Sequence, residues 1–247
     1  MKPGLTFVSC LLPVLLHAQE APDRAPVEPK TLPAPDQTVA PAEPAIEKLP
    51  DGRMKLGRIE FDPETRSIRF PAWVNQKEGL LEFLIVHKNG KVHESLLATE
   101  ISAVNLNIAL KLLHYKASRE LYQKVKDDGS LSSEFESATD EEKTGSRLKI
   151  LLQAGTGEPV PANEWISHLP TEKTMPADPW IYGGSFINQG RFMAESSGDL
   201  FAIFLSNSSL VNFSGKDNLD DEVWLPHPTR VPELETPVTV IIQPYDS

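Results

Sequence analysis

Residues 79–87, Gly-Leu-Leu-Glu-Phe-Leu-Ile-Val-His, are apolar at both alternating sets of positions. Successive side chains of a β-strand point to opposite faces, so a run that is apolar in both sets belongs to a strand covered on both sides. Whatever this chain folds into must place a layer on each face of that strand. Lys88-Asn89-Gly90-Lys91 follows and leads into a second apolar run, residues 92–99. Asn-Gly is the strongest short hairpin signal, and a two-residue loop there sets Lys88 opposite Lys91, Ile85 opposite Glu94, Leu84 opposite Ser95 and Glu82 opposite Leu97. In that register Glu82, His93 and Ser95 share one face, and Glu94 falls on the other with Phe83 and Ile85.

The rest of the chain reads as further short strands around one helix. Residues 55–61 and 67–74 flank Asp62-Pro63-Glu64-Thr65, whose proline presets φ and whose Asp can bond its own backbone, so a hairpin is expected. Ser102 is placed to cap a helix running to about residue 115. On a helical wheel Ile101, Val104, Ile108 and Leu112 form one apolar face and Leu106, Ala109, Leu110 and Leu113 a second, leaving Asn107, Lys111 and His114 as a polar strip. A helix apolar nearly all round is expected to be buried nearly all round. Residues 116–145 are strongly charged and read as a solvated insertion, a short helix and a loop. Residues 180–212 read as an antiparallel meander with turns at Asn188-Gln189-Gly190, Ser196-Ser197-Gly198-Asp199 and Ser206-Asn207-Ser208. Nothing resembles repeated βαβ units. The expected class is therefore α+β: mostly antiparallel sheet or sheets packed on one long buried helix, with a charged helical and loop insertion.

Residues 1–18 carry Lys2, an apolar run with Cys10 inside it, and Ala18 as a cleavage point; the run is too short to span a membrane, and the pattern is that of a secretory signal peptide. Residues 19–50 hold Pro22, Pro26, Pro29, Pro33, Pro35, Pro41, Pro44 and Pro50 and read as a disordered linker. Residues 51–247 are expected to form a single domain. After cleavage no cysteine remains, which excludes disulfides and thiolate metal sites, and no membrane span is expected. The expected location is outside the cytoplasm, in the periplasm or cell envelope. With 24 Lys plus Arg against 35 Asp plus Glu, a net charge of -11 and a pI of about 5.0, the chain lacks the basic clusters that grip a phosphate backbone, so nucleic acid is excluded as a partner.

Trp73-Val74-Asn75, Gly79, Glu82-Phe83-Leu84-Ile85-Val86 and Lys91-Val92-His93-Glu94-Ser95-Leu96-Leu97, followed by a helix, together with Gly184-Ser185, Phe192, Asp199-Leu200, Asn212 and Thr236-Pro237-Val238-Thr239-Val240, resemble the YdjY-like domain of exported bacterial proteins. The resemblance spans residues 54–245 and implies an exported domain with no assigned activity, cofactor or catalytic residue. The charged insertion departs from the family pattern.

Three groups of residues could carry chemistry. Ser95, His93 and Glu82 supply a nucleophile, a base and an orienting carboxylate on one strand face, although neighbours on one face point in parallel and do not converge. His93, Glu94 and Ser95, with Gly184 and Ser185 after the strand at residues 180–182, are the candidate ligand-binding positions, since glycines at a strand end allow close approach of a ligand. A metal site built on His93 and Glu94 would need His87, His168 or His227, and no metal-binding string is present, so neither metal nor cofactor is expected. The four tryptophans could form a stacking platform or anchor the core. Asn207-Ser208-Ser209 and Asn212-Phe213-Ser214 have N-glycosylation spacing but are set aside in a chain of bacterial character. Two readings follow: a non-catalytic module that binds a small molecule or an envelope protein, and a hydrolase using Ser95, His93 and Glu82.

Overall fold

The computed structural model describes residues 45–127, 130–136, 139–143 and 145–245. The expected signal peptide and most of the expected linker lie outside the described residues. The strands are β1 Ile46–Lys48, β2 Met54–Leu56, β3 Ile59–Asp62, β4 Ser67–Val74, β5 Phe83–His87, β6 Ser95–Thr99, β7 Arg147–Ala154, β8 Trp180–Tyr182, β9 Asp199–Ala202, β10 Val211–Phe213 and β11 Pro237–Pro244. Two helices matter below, α1 Ala103–Leu112 and the short α2 Met193–Ser197. β1 falls inside the segment expected as linker and pairs with β2.

Eight strands close into a barrel in the order β4, β11, β7, β8, β10, β9, β5, β6 and back to β4, with β1, β2 and β3 extending the sheet from β4. The expected α+β class is overturned: the protein is mostly β, and its one helix of any length covers the barrel without being its centre. The apolar periodicities of β4, β7 and β11 explain the barrel wall. Ile68, Phe70, Ala72 and Val74, then Leu148, Ile150 and Leu152, then Val238, Val240 and Ile242 alternate inward and are buried, while the residues between them face outward. The interior is filled by side chains. Phe70 of β4 and Phe201 of β9 meet across it, ring centroids 6.2 Å apart.

The doubly apolar run does form a strand covered on both faces, but the Asn-Gly hairpin does not exist. β5 and β6 are parallel, with Phe83 beside Ser95, Ile85 beside Leu97 and His87 beside Thr99. The chain leaves His87 and doubles back along the outside of β5. It then passes through a single 3-10 turn, Val92–Glu94, before entering β6. Parallel strands normally need a longer crossover; this one is short because it lies on the strand it leaves. The physical reason is cover. β6 is buried along its whole length and is paired on both edges, by β5 and by β4, and an antiparallel hairpin would have forced Val92, His93 and Glu94 into that covered sheet. Gly90 closes a turn, its amide donating to the His87 carbonyl at 2.7 Å, and meets a second need: a Cβ there would stand 3.0 Å from the Ser197 carbonyl oxygen and 3.3 Å from Gly198 Cα, so two backbones can pass only because both positions are glycine.

The expected meander is likewise corrected. β8 is followed by a small hairpin, Ile187–Asn188 with Arg191–Phe192 around Gln189-Gly190, then by α2, and β9 and β10 run parallel. The Asp62-Pro63 hairpin forms, with Asp62 Oδ1 accepting from the Glu64 amide at 2.9 Å. Ser102 caps α1, its Oγ accepting from the Asn105 amide at 3.3 Å, and the Glu195 carboxylate accepts from the Val104 amide at 3.0 Å. α1 buries Leu106, Ala109 and Leu110, but Val104 and Leu112 are 38% and 47% exposed, so the helix is a one-sided lid and not a buried rod. The charged insertion contains a two-stranded ribbon, Gln123–Val125 with Leu131–Phe135, and one helical turn, Asp140–Lys143.

Removing the aromatic bridge tests the closed, filled interior. Phe201→Ala should cost about 3–5 kcal/mol in urea unfolding, whereas an open sheet with Phe201 on a solvated face would lose much less.

Candidate functional site

The residues proposed as a hydrolytic set are not brought together. Ser95 is fully buried, and its Oγ donates to the Leu97 carbonyl at 2.8 Å. His93 projects into solvent from the 3-10 turn, its side chain 74% exposed, and its Nε2 lies 3.3 Å from Glu94 Oε1. Glu82 contacts Lys91 Nζ at 3.3 Å. Gly184 and Ser185 belong to a separate structural knot. Gly184 has φ +80° with Ala117 Cβ 3.2 Å from where a Cβ would sit, and Ser185 Oγ donates to the Ser208 carbonyl at 2.6 Å while accepting from the Ala194 amide at 3.0 Å. Tyr122 donates from its hydroxyl toward the carbonyls of Gly183 and Ser185, and burial raises the Tyr122 pKa to about 12. These contacts fix the start of the charged insertion to the barrel. Among the described residues no group of three or more His, Cys, Asp or Glu is placed to hold a metal ion.

Two sites emerge that sequence reasoning did not assemble. The first lies under the crossover, residues 88–94, on the outer face of β5. Val92 packs there against Phe83, Val86 and Ala202, and Lys91 Nζ stands 5.2 Å from the Phe83 ring centre. Around that ammonium are three carboxyls. Glu82 Oε2 is 3.3 Å away, Glu94 Oε2 is 3.8 Å away, and Asp199, only 5% exposed, lies within its field. Glu82 and Glu94 thus flank the same ammonium. Burial raises the pKa of Glu82, and the neighbouring Glu94 charge adds to the effect while Lys91 opposes it. Burial raises the pKa of Asp199 too, against the Ser197 hydroxyl and Lys91. Burial works to lower the Lys91 pKa, but Glu82, Glu94 and Asp199 outweigh it and hold the ammonium above its usual value. In the expected hairpin Glu82 and Glu94 were on opposite faces; the parallel crossover is what makes them neighbours.

The second is a groove beside a small three-stranded sheet, Ile166–His168 flanked by Lys173–Thr174 and Trp224–Pro226. It encloses about 440 Å³ between Leu169, Leu225, Pro226 and Pro228, with His168, His227 and Glu172 at its edges. Its floor is tied to the barrel by an aromatic train: His168 lies 4.9 Å from Trp224, Trp224 5.9 Å from Phe213 of β10, and Phe213 5.4 Å from Trp180 of β8. Trp224 and Trp180 are buried, so they anchor the groove and offer no exposed stacking platform. His168 is held through Nδ1, 2.9 Å from Thr171 Oγ1, while Nε2 lies 3.3 Å from Asp217 Oδ2 without hydrogen-bond geometry. Desolvation, helped by Arg230, lowers the pKa of His227, so its imidazole is neutral at pH 7. The signal for the groove in the sequence is the Trp224-Leu225-Pro226-His227-Pro228 string, in which two prolines remove backbone donors from an apolar edge.

No family model matches the chain, and no curated protein or solved structure is significantly similar to it.

The crossover cluster fixes a sign for stability against pH. Glu82 and Asp199 hold their protons more tightly folded than unfolded, so the stability they contribute is fully present below about pH 4, where the unfolded carboxyls titrate, and is lost as pH rises through their raised folded values. Asp199→Asn cannot ionise. Its Tm should therefore gain on that of the wild type by a few degrees between pH 4 and pH 8, as read by circular dichroism melts; a difference that stays constant with pH would show that Asp199 is not desolvated.

Proposed function

We propose that this chain is a non-catalytic binding module of an exported protein, working in the periplasm or cell envelope, and that its groove beside Trp224–Pro226 holds an apolar peptide segment ending in basic residues. The observation that carries the reading is the groove itself: about 440 Å³, within the range of ligand sites, with apolar walls on a rigid aromatic floor. Its charge selects the partner. His227 is neutral at pH 7, Glu172 stands at the edge, and the chain's net charge of -11 draws cations and repels anions. The two prolines of the edge leave no ladder of donors, so side-chain burial supplies the affinity. The resemblance to the YdjY-like domain supports the same assignment, an exported domain without an assigned reaction.

Export rests on residues 1–18, and a fusion of residues 1–25 to alkaline phosphatase lacking its own leader is the direct test. Enzyme activity should appear outside the cytoplasm, with a mature N-terminus at Gln19; activity confined to the cytoplasm would remove the envelope from the proposal.

The groove is tested with a fluorescent acetylated peptide of three leucines followed by two lysines, followed by anisotropy on the full chain. Wild type should bind it saturably, Leu225→Arg should weaken binding at least tenfold, and Glu172→Gln should weaken it less while removing part of its salt dependence. Absence of saturable binding, or equal binding by Leu225→Arg, would sink the assignment.

A further inference from the structure

The crossover over β5 is held by two kinds of contact that respond differently to protons. One is independent of pH: the Asn75 carboxamide, at the end of β4, donates from Nδ2 to the Val92 carbonyl at 2.5 Å and to the Ser95 carbonyl at 2.8 Å. The other is the carboxyl cluster. The titratable groups that face it are Glu82 from the segment entering β5, Lys91, His93 and Glu94 from the crossover, and Asp199 from β9; β6 contributes no charged residue. Ser206 Oγ donates to Asp199 Oδ2 at 3.4 Å, a long contact. Two carboxyl oxygens, Glu94 Oε2 and Asp199 Oδ1, are buried without a hydrogen-bond partner among the described residues.

An unpartnered buried carboxylate oxygen forfeits its hydration with nothing in return. A proton changes that balance, because a protonated carboxyl sheds its charge and gains a donor, and Glu82 and Glu94 are gathered on the same Lys91 ammonium, at 3.3 and 3.8 Å. Fully ionised, the cluster carries three negative charges against the single Lys91 ammonium, with the His93 side chain exposed at the rim. We propose that residues 88–94 form a proton-operated latch: closed over Phe83, Val86 and Ala202 while Glu82 or Asp199 holds a proton beside the Glu94 carboxylate, and loosened when both have ionised. The proton is the ligand, and the two states differ in whether Val92 covers the apolar strip on the outside of β5. Asn75 keeps the Val92 and Ser95 carbonyls tethered and the Glu82 amide holds the Glu94 carbonyl at 3.0 Å, so loosening is limited to the Lys91 ion pairs and the packing of the Val92 side chain and leaves the β5–β6 pairing in place.

The latch does not rest on the groove reading, and its test does not involve the peptide. Amide hydrogen exchange of the full chain is followed by mass spectrometry from pH 5 to pH 8, corrected for the intrinsic pH dependence of exchange. Amides of residues 88–94 should become about tenfold less protected over that range, while those of β4 and β11 do not change. The double variant Glu82→Gln, Asp199→Asn should keep its crossover protected throughout; if Asp199→Asn does not fold, Glu82→Gln alone should flatten most of the response. Protection that is flat with pH in the wild type, or a response unchanged in the variants, overturns the latch. His93→Ala separates the remaining possibility, since a response that vanishes in this variant would assign the switch to the imidazole and not to the carboxyls.

Discussion

The closing seam of the barrel is short: β4 meets β6 at Trp73 beside Ala98 and Val74 beside Leu97, and nowhere else in the ladder. Everything on the β5 side of the molecule follows from it. A sheet that closes has no edge, and once β6 lies between β4 and β5 both of its edges are used and its whole length is buried. The polar residues that precede β6 in the chain, Lys91, His93 and Glu94, then have no place in the wall. They are carried outside it by the crossover, onto a strand whose outer face was already apolar. A charged cluster packed on Phe83, Val86 and Ala202 is thus a by-product of closure. The same logic appears at the second parallel pair, β9 and β10, where residues 203–210 form the connecting loop.

Short crossovers leave backbone groups without ladder partners, and side-chain amides take their place. Asn75 serves the first crossover. Asn212, buried in β10, serves the second, accepting from the Ser206 amide at 2.9 Å and donating to the Ser206 carbonyl at 3.1 Å. Asn207 does the same for the ribbon of the charged insertion, accepting from the Gln123 amide at 3.0 Å and donating to its carbonyl at 2.8 Å. A carboxamide presents one acceptor and two donors on a plane, which is the pattern a neighbouring strand would offer. Each of these groups buried without a partner would cost about 1–3 kcal/mol, so the three asparagines hold the parts of the fold that the barrel ladder cannot reach. Asn207 and Asn212 also head the two glycosylation-like strings, and both side chains are occupied in this way.

What could be read from the residues was local. The Asp62-Pro63 turn, the Ser102 cap and the Gln189-Gly190 turn all depend on contacts within a few positions, and each formed where its chemistry indicated. The strand at residues 83–87 was legible as doubly covered because alternation reports cover directly. Its partner's direction was not. Asn-Gly is a strong hairpin signal because a turn of that kind needs φ > 0, yet glycine is equally required where two backbones touch, and the contact of Gly90 with Gly198 lies over a hundred positions away in the chain. The candidate sites failed for the same reason. Glu82 and Glu94 became neighbours only through a parallel register, Asp199 joined them from β9, and the groove drew His168, Leu225 and Pro228 from two strands paired across a long loop. The helix was misjudged in a different way: its two apolar faces are real, but the barrel covers one, and Val104 and Leu112 are left on the other.

The closed barrel also explains why the sites proposed for binding and switching lie on the outside of this protein. A filled interior has little room for a ligand or for movement, since displacing Phe70 or Phe201 opens a cavity in the large core of the described residues. Free energies small enough to be changed by one proton or one peptide are available only in the layers that closure leaves outside: a crossover whose apolar contact is a single valine, and a three-stranded flap joined to the wall through Trp224 and Phe213. The two differ in what they sense. The flap would meet the proposed peptide with apolar walls, a neutral imidazole and one carboxylate, and so would respond to size and charge. The crossover presents three carboxyls to one ammonium and so responds to pH. The two sites meet at one point, where the amide of Leu81, next to Glu82, donates to the carbonyl of Trp224 at 2.9 Å, so any coupling between them would run through that bond.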